Sequence, residues 1–402
     1  MLSLMRIIAR PLLMLVAPWT ILLLSAMTPR FAPPAHAQLL AAIGVTTALP
    51  QPLQRALEPR DDFQPIPEPE PGDWLANHSE TGQTFGQFTR SLPNRPGHHR
   101  SKLCLQPLGR FVESDGPSLD RLQRFAEAFF MMEVVIPPAD WAQNRITSRR
   151  NPWSGQAQLL TGDIPNALEA RLPKDAFALL GITMTDLYPD PSWNFVFGQA
   201  LPLDRVGVYS FARYDPRFYG EAPTSDWSKL MLRRSSKVLA HEACHMFGIE
   251  HCVWFHCLMN GSNHLAESDA RPLHLCPVDL RKLQWSIGFD VVGRYRRLLD
   301  FCRQEGLTTR RSGWTSGSVH RATRPERGEA LNGTSALHSP SGGWKLCKTV
   351  EHRSWTFCGS RRVSGRLFDT WRFLATNRRK MGKRHAFDRG LVSSDRLLPC
   401  TA

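Results

Sequence analysis

The alternation of apolar and polar positions becomes regular from Lys102 onward. Leu103 and Leu105 alternate as in a strand, and Gly116-Pro117-Ser118 then opens onto Leu119, Leu122, Ala126, Phe129 and Phe130 at helical spacing. Ile164, Ala167, Leu168 and Leu172 repeat the helical period. Ala176 to Met184 is a nearly unbroken apolar run, the pattern of a strand covered on both faces, so it predicts the centre of a sheet. Val206, Val208, Ser210 and Ala212 alternate with Gly207, Tyr209 and Phe211, which predicts one more strand before a loop from Asp215 to Asp226. Strands and helices in this alternation predict an α+β domain built on a mixed, twisted sheet with helical cover.

Either side of that pattern the chain reads differently. Residues 1–37 carry Arg6 and Arg10, an apolar stretch from Pro11 to Met27, and Ala35-His36-Ala37 before Gln38, the order of a secretory leader with a small-residue cleavage site. Pro11 and Pro18 interrupt a run that is short for a bilayer span, so no stable membrane span is expected once the leader is removed. Residues 38–100 are rich in Pro and polar residues, notably Pro65-Ile66-Pro67-Glu68-Pro69-Glu70-Pro71, which predicts extended, weakly packed chain. Trp74, Leu75, Phe85 and Phe88 predict that part of it folds back onto a core, and no chemistry is assigned to it. Beyond Phe301 the pattern dissolves into Arg, Ser, Gly and Thr with scattered Trp, so residues 306–402 read as a disordered basic tail. The predicted organisation is therefore leader 1–37, Pro-rich region 38–100, catalytic domain 101–305 and tail 306–402.

Net charge adds little once its position is known. The chain carries a formal charge of +14, which would suggest an anionic partner. Residues 306–402 hold 19 Lys/Arg against 6 Asp/Glu, so 13 of those 14 charges sit in the tail. The globular part is close to neutral, and no nucleic-acid partner is expected for it.

The chemistry is concentrated in one stretch. Residues 241–251 read His-Glu-Ala-Cys-His-Met-Phe-Gly-Ile-Glu-His, which is H-E-x-x-H-x-x-G-x-x-H. On a helix, positions i and i+4 share a face, so His241 and His245 can aim two imidazoles at one zinc. Glu242 sits one step round, where its carboxylate can take a proton from a zinc-bound water and later hand it to the leaving amine. Gly248 can end the helix in a left-handed turn and bring His251 in as a third ligand, which leaves the fourth position open for water. A histidine as third ligand marks the metzincin branch of zinc peptidases.

Nine cysteines in an exported chain would ordinarily suggest disulfides, but Cys244, Cys252, Cys257 and Cys276 crowd around the histidine motif. Thiolate and imidazole are preferred zinc donors. Cys252 follows His251 directly, then come Cys257, Leu258, Met259 and, after a loop, Cys276-Pro277-Val278-Asp279. This combination resembles the archaemetzincins, the archaelysin family of metallopeptidases, over roughly Lys102 to Leu299.

The resemblance implies a metzincin (zincin-like) fold and hydrolysis of peptide or protein substrates by zinc-activated water. It also implies a catalytic zinc on His241, His245 and His251, with Glu242 as general base and Met259 in a turn beneath the metal. Cysteines would build a second, structural zinc site. The family's last cysteine falls here at Asp279, so the candidate set is Cys252, Cys257, Cys276 and Asp279, with His256 or His274 as other candidates for the fourth place. The leader and the tail are both atypical of a family whose familiar members look intracellular; the leader predicts export, the resemblance a cytoplasmic or nuclear location. The reading from another class is a non-catalytic zinc-binding interaction module whose basic tail touches nucleic acid. Oligomeric state is not legible in the sequence.

Overall fold

The computed structural model describes residues 31–60, 62–112, 114–139 and 146–307. All of them belong to the first of the chain's two units, Met1–Gly328. The leader up to residue 30 and the tail from residue 308 therefore lie outside the described residues.

Short apolar runs form eight strands: β1 (Lys102–Pro107), β2 (Glu133–Val135), β3 (Ser148–Arg150), β4 (Ala157–Leu160), β5 (Ala176–Thr183), β6 (Asp186–Tyr188), β7 (Gly198–Leu201) and β8 (Val206–Ser210). They build a five-stranded sheet in the order β2-β1-β5-β8-β7 and a three-stranded sheet in the order β3-β4-β6. In the larger sheet β2, β1, β5 and β8 run parallel, and β7 lies antiparallel on β8 at the edge. The sheet is mixed, as the alternation of elements predicts. Every residue of β5 is buried, because β1 and β8 flank it, with Leu105 opposite Leu180 and Gly181 opposite Val208, and helices cover its faces.

Ten helices complete the described fold: α1 (His36–Ile43), α2 (Gln51–Ala56), α3 (Trp74–Asn77), α4 (Phe85–Arg90), α5 (Leu119–Phe130), α6 (Ile164–Glu169), α7 (Trp227–Met246), α8 (Leu265–Ala270), α9 (Pro277–Ile287) and α10 (Val291–Gln304). The long helix α7 buries Met231, Leu232, Val238, Leu239, Ala240, Ala243, Cys244 and Met246 in the main core. Phe247 at its end stacks on Phe177 of β5 at 4.3 Å between ring centroids and faces Phe130 of α5 at 5.8 Å. Those contacts tie the C-terminal end of α7 to the sheet. The expected helix beginning at Ile164 stops at Glu169, short of Leu172, and the loop from Asp215 holds a 3-10 turn at Pro216–Tyr219.

The region 38–100 departs from the extended, weakly packed chain its composition predicts. Leu39, Ala42, Ile43, Leu53, Leu57 and Phe88 are buried in the same core as Leu105, Leu180 and Leu239. Arg281 of α9 clasps α1 by donating to the Ile43 and Val45 carbonyls. Prolines do not prevent this packing, since Pro52 occupies the first turn of α2, where the missing N–H costs nothing. Helix α1 also runs across the Ala37–Gln38 junction expected as a cleavage point. Among the described residues no helix is long and apolar enough to cross a membrane, and the six cysteines, Cys104, Cys244, Cys252, Cys257, Cys276 and Cys302, are all buried and free of disulfides.

Candidate active site

The last turns of α7 carry His241, Glu242 and His245. The helix ends after them because Gly248 takes a left-handed conformation, φ +77°, which a side chain would strain. The chain then doubles back and brings His251 beside the other two. Ring centroids are 4.7 Å apart for His241 and His245, 5.3 Å for His241 and His251, and 5.2 Å for His245 and His251.

The outward nitrogen of each imidazole is occupied. His241 Nδ1 lies 3.0 Å from the Leu258 carbonyl, His245 Nδ1 2.7 Å from the Ile249 carbonyl and His251 Nδ1 2.8 Å from Glu80 Oε1. Carbonyl and carboxylate oxygens only accept, so His245 Nδ1 and His251 Nδ1 donate and leave their Nε2 atoms with a lone pair, whereas His241 Nδ1 has both the Leu258 carbonyl, an acceptor, and the Arg271 guanidinium, a donor 3.2 Å away, beside it. His241 Nε2 and His245 Nε2 face each other at 3.1 Å. A cation held between or beside these facing nitrogens fits the arrangement, and the donor set fits zinc.

Protonation cannot supply that cation. Burial, followed by the charges of His245 and Arg271, holds His241 well below the ordinary imidazole range, and burial with His251 brings His245 down to about 3. At neutral pH both are neutral, the form that binds metal. Burial pushes the Glu242 carboxyl up to about 7, with His251 and Arg271 pulling the other way. A carboxyl poised there can both take and return a proton near neutrality.

Asn260 and Arg271 brace the floor. The Asn260 amide donates to the Cys252 and Phe255 carbonyls and its oxygen accepts from the Cys257 N–H. Arg271 donates to the Asn260 carbonyl at 2.6 Å and to Ser268 Oγ at 2.7 Å, and its Nη1 lies 3.2 Å from His241 Nδ1. Met259 is fully buried, one residue past the carbonyl that orients His241.

Directly after His251 the chain enters a second cluster. The ligand atoms of Cys252, Cys257, Cys276 and Asp279 lie within 4.8 Å of one another, and all four residues are buried. Cys252 Sγ is 3.6 Å from Cys276 Sγ, and Asp279 Oδ2 is 3.3 Å from Cys257 Sγ and 3.4 Å from Cys276 Sγ. His256 and His274, the other candidates for the fourth place, stand outside this group, the His274 imidazole turning to the Leu275 carbonyl. Burial and the Cys252 sulfur raise the Asp279 carboxyl to about 7, while Lys282 pulls it down. Three sulfurs and one carboxylate oxygen converging in a dry pocket form a donor set that zinc accepts.

Comparison with known proteins decides the family. Archaemetzincin-2 of Homo sapiens is 38% identical over 289 residues, spanning 64% of this chain and 79% of that relative, and archaemetzincin-2 of Macaca fascicularis matches to the same extent. The chain belongs to the archaemetzincin family. It is accordingly a zinc metallopeptidase acting on peptide or protein substrates, rather than a non-catalytic zinc module. The sequence pattern of Peptidase family M54 matches residues 171–285, which include both clusters. Archaemetzincin-1 of Homo sapiens is 38% identical over 254 residues, 56% of this chain and 51% of that relative. Among solved structures, the archaemetzincin of Methanopyrus kandleri is 28% identical and covers 48% of this chain and 97% of its own, with a TM-score of 0.37. At that score the assignment rests on the sequence match.

Near the site, Arg213 forms a two-pronged ion pair with buried Asp186, Tyr214 is buried, and Tyr219 Oη donates to the Arg213 carbonyl. Glu80, Asn260, Arg271 and Lys282 were not singled out by the sequence. Only Lys282 had a local signal, since it lies three residues after Asp279 on a helix face.

Proposed function

We propose that the protein hydrolyses peptide bonds at a single zinc bound by His241, His245 and His251, with Glu242 as general base, in a metzincin-type catalytic domain. The observation that carries this reading is the convergence of three imidazoles, ring centroids 4.7 to 5.3 Å apart, whose Nδ1 atoms turn to protein partners while two Nε2 atoms stand only 3.1 Å apart. His241, His245 and His251 would hold the zinc, which would supply polarisation of the scissile carbonyl and acidification of the attacking water. Glu242 accepts the proton of the attacking water as its oxygen bonds to the carbonyl carbon. It then delivers that proton to the amide nitrogen as the carbon–nitrogen bond breaks, releasing an amine and a carboxylic acid. The buried imidazoles stay neutral and the carbonyls of Leu258 and Ile249 keep two of them oriented.

Cys252, Cys257, Cys276 and Asp279 hold a second zinc in a structural role. Its site is closed by four protein donors, so it offers no place for water. Metal per chain, measured with cleavage of a mixed peptide library before and after chelation and after zinc return, tests the reading. Chelation should abolish cleavage and zinc should restore it; cleavage that persists in a metal-free protein rules the mechanism out.

A further inference from the structure

His251 differs from its two partners in what holds it. The carbonyls beside His241 and His245 come from Leu258 and Ile249, 17 and 4 residues on in the chain, whereas the acceptor for His251 is a carboxylate from a segment 171 residues earlier. A charged acceptor makes a stronger hydrogen bond than a carbonyl and raises the basicity of the opposite nitrogen. It also opposes rotation of the imidazole on a loop that has no helix to fix it.

Glu80 is itself held in place by a strap of chain laid along the loop that carries His251. The Gln64 carbonyl accepts from the His256 N–H at 2.9 Å, and Ile66 N–H donates to the Trp254 carbonyl at 3.3 Å. Past Glu80, the Gln83 amide donates to the Gly248 carbonyl at 3.1 Å and its oxygen faces the Glu250 N–H at 3.4 Å, so one side chain grips both ends of the turn between His245 and His251. Between these anchors, Trp74 packs edge-on to His251 at 5.1 Å and its backbone N–H donates to Glu267 Oε1 at 2.9 Å. Gly82 permits the close approach: φ is +71°, and a Cβ there would fall 2.3 Å from Val253 Cγ2.

We infer that Glu80 is a positioning residue for the third zinc ligand, and that the strap from Gln64 to Gln83 is a working part of the active site. Glu80 does not touch substrate; it sets the tautomer and direction of His251. The inference rests on the reading that His251 binds zinc.

The test compares the full chain with Glu80→Gln, Glu80→Ala and His251→Ala. Zinc at the histidine site is followed by chelator competition, and cobalt substitution separates it from the thiolate cluster, whose sulfur-to-cobalt absorption is distinct. Glu80→Ala should bind histidine-site metal about 10- to 100-fold more weakly. Glu80→Gln, which keeps an acceptor and the volume, should fall between it and the natural protein, and it decides the matter if the alanine variant fails to fold. The visible cobalt bands of the histidine site should shift in both Glu80 variants while the thiolate absorption stays. Unchanged metal affinity in Glu80→Gln, with His251→Ala losing the metal, overturns the role of Glu80 and leaves the zinc reading standing. If His251→Ala also keeps its metal, both fall.

Discussion

Lys282 Nζ donates to Asp279 Oδ1 at 2.8 Å with both side chains fully buried, while Asp279 Oδ2 faces the sulfurs of Cys257 and Cys276. The two oxygens of one carboxylate thus serve different partners, a cation of the protein and the thiol cluster. A buried ammonium needs an anion, and Asp279 supplies it from the position where the family's pattern has cysteine. Helix α9 makes the pairing local, since residues three apart share a face.

Breaking that pair should be costly. Lys282→Met should lower stability by about 3 kcal/mol, because it strands a buried carboxylate. Asp279→Cys should raise zinc retention under chelator, since a thiolate is the softer ligand, while the gain in thermal stability from tighter metal should appear only when Lys282→Met removes the ammonium that would otherwise lose its carboxylate. Cys276→Ser should lower both. Zinc per chain through a chelator titration checks this, and identical release from the natural protein, Asp279→Cys and Cys276→Ser, with one metal throughout, rules out the second site.

Glu242→Gln should keep its zinc and lose about 10²- to 10⁴-fold in kcat, because in the proposed mechanism the side chain carries the proton without binding the metal. Metal analysis alongside kcat and KM decides it; a zinc-loaded variant working at the natural rate removes Glu242 from the mechanism.

Truncation should act oppositely at the two ends of the described fold. Ending the chain after Leu307, whose N–H still closes on the Cys302 carbonyl, should leave melting temperature and kcat/KM nearly unchanged. Deleting residues 38–100 should prevent folding. Leu39, Ile43, Leu53, Leu57 and Phe88 alone account for about 7 to 15 kcal/mol of apolar burial, as much as a whole domain's net stability. A cooperative melt in a chain that starts at residue 101 would contradict this.

Lys237 should give stability a pH slope. Its ammonium donates to the Ser268 and Asp269 carbonyls, yet burial, with Arg233 nearby, brings it down to about 7. The unfolded chain keeps that proton to about pH 10.4, so between 7 and 10.4 the unfolded state binds more protons and stability rises with pH. The contribution approaches about 1.4 kcal/mol per pH unit and should vanish in Lys237→Met. Urea unfolding of both proteins from pH 7 to 9.5 measures it; parallel slopes would refute the assignment.

Local periodicity made much of this protein legible before any coordinates. The four-residue step from His241 to His245 puts both on one helix face wherever that helix lies, and a glycine three residues on permits the turn that returns His251. The unbroken apolar run of β5 requires cover on both faces, hence the sheet's centre. Composition misled over part of residues 38–100, because proline frequency reports backbone stiffness and not whether Leu39, Ile43 or Leu53 finds a core, although Phe88 does pack there as expected. Among Asp279, His256 and His274, spacing alone could not say which stands by the sulfurs; the fold sets Asp279, in the first turn of α9, beside them and leaves the two histidines outside that group. Glu80 lay beyond sequence reasoning altogether. Its partner is 171 residues away, and a contact at that separation depends on how every intervening element packs, which no periodicity encodes.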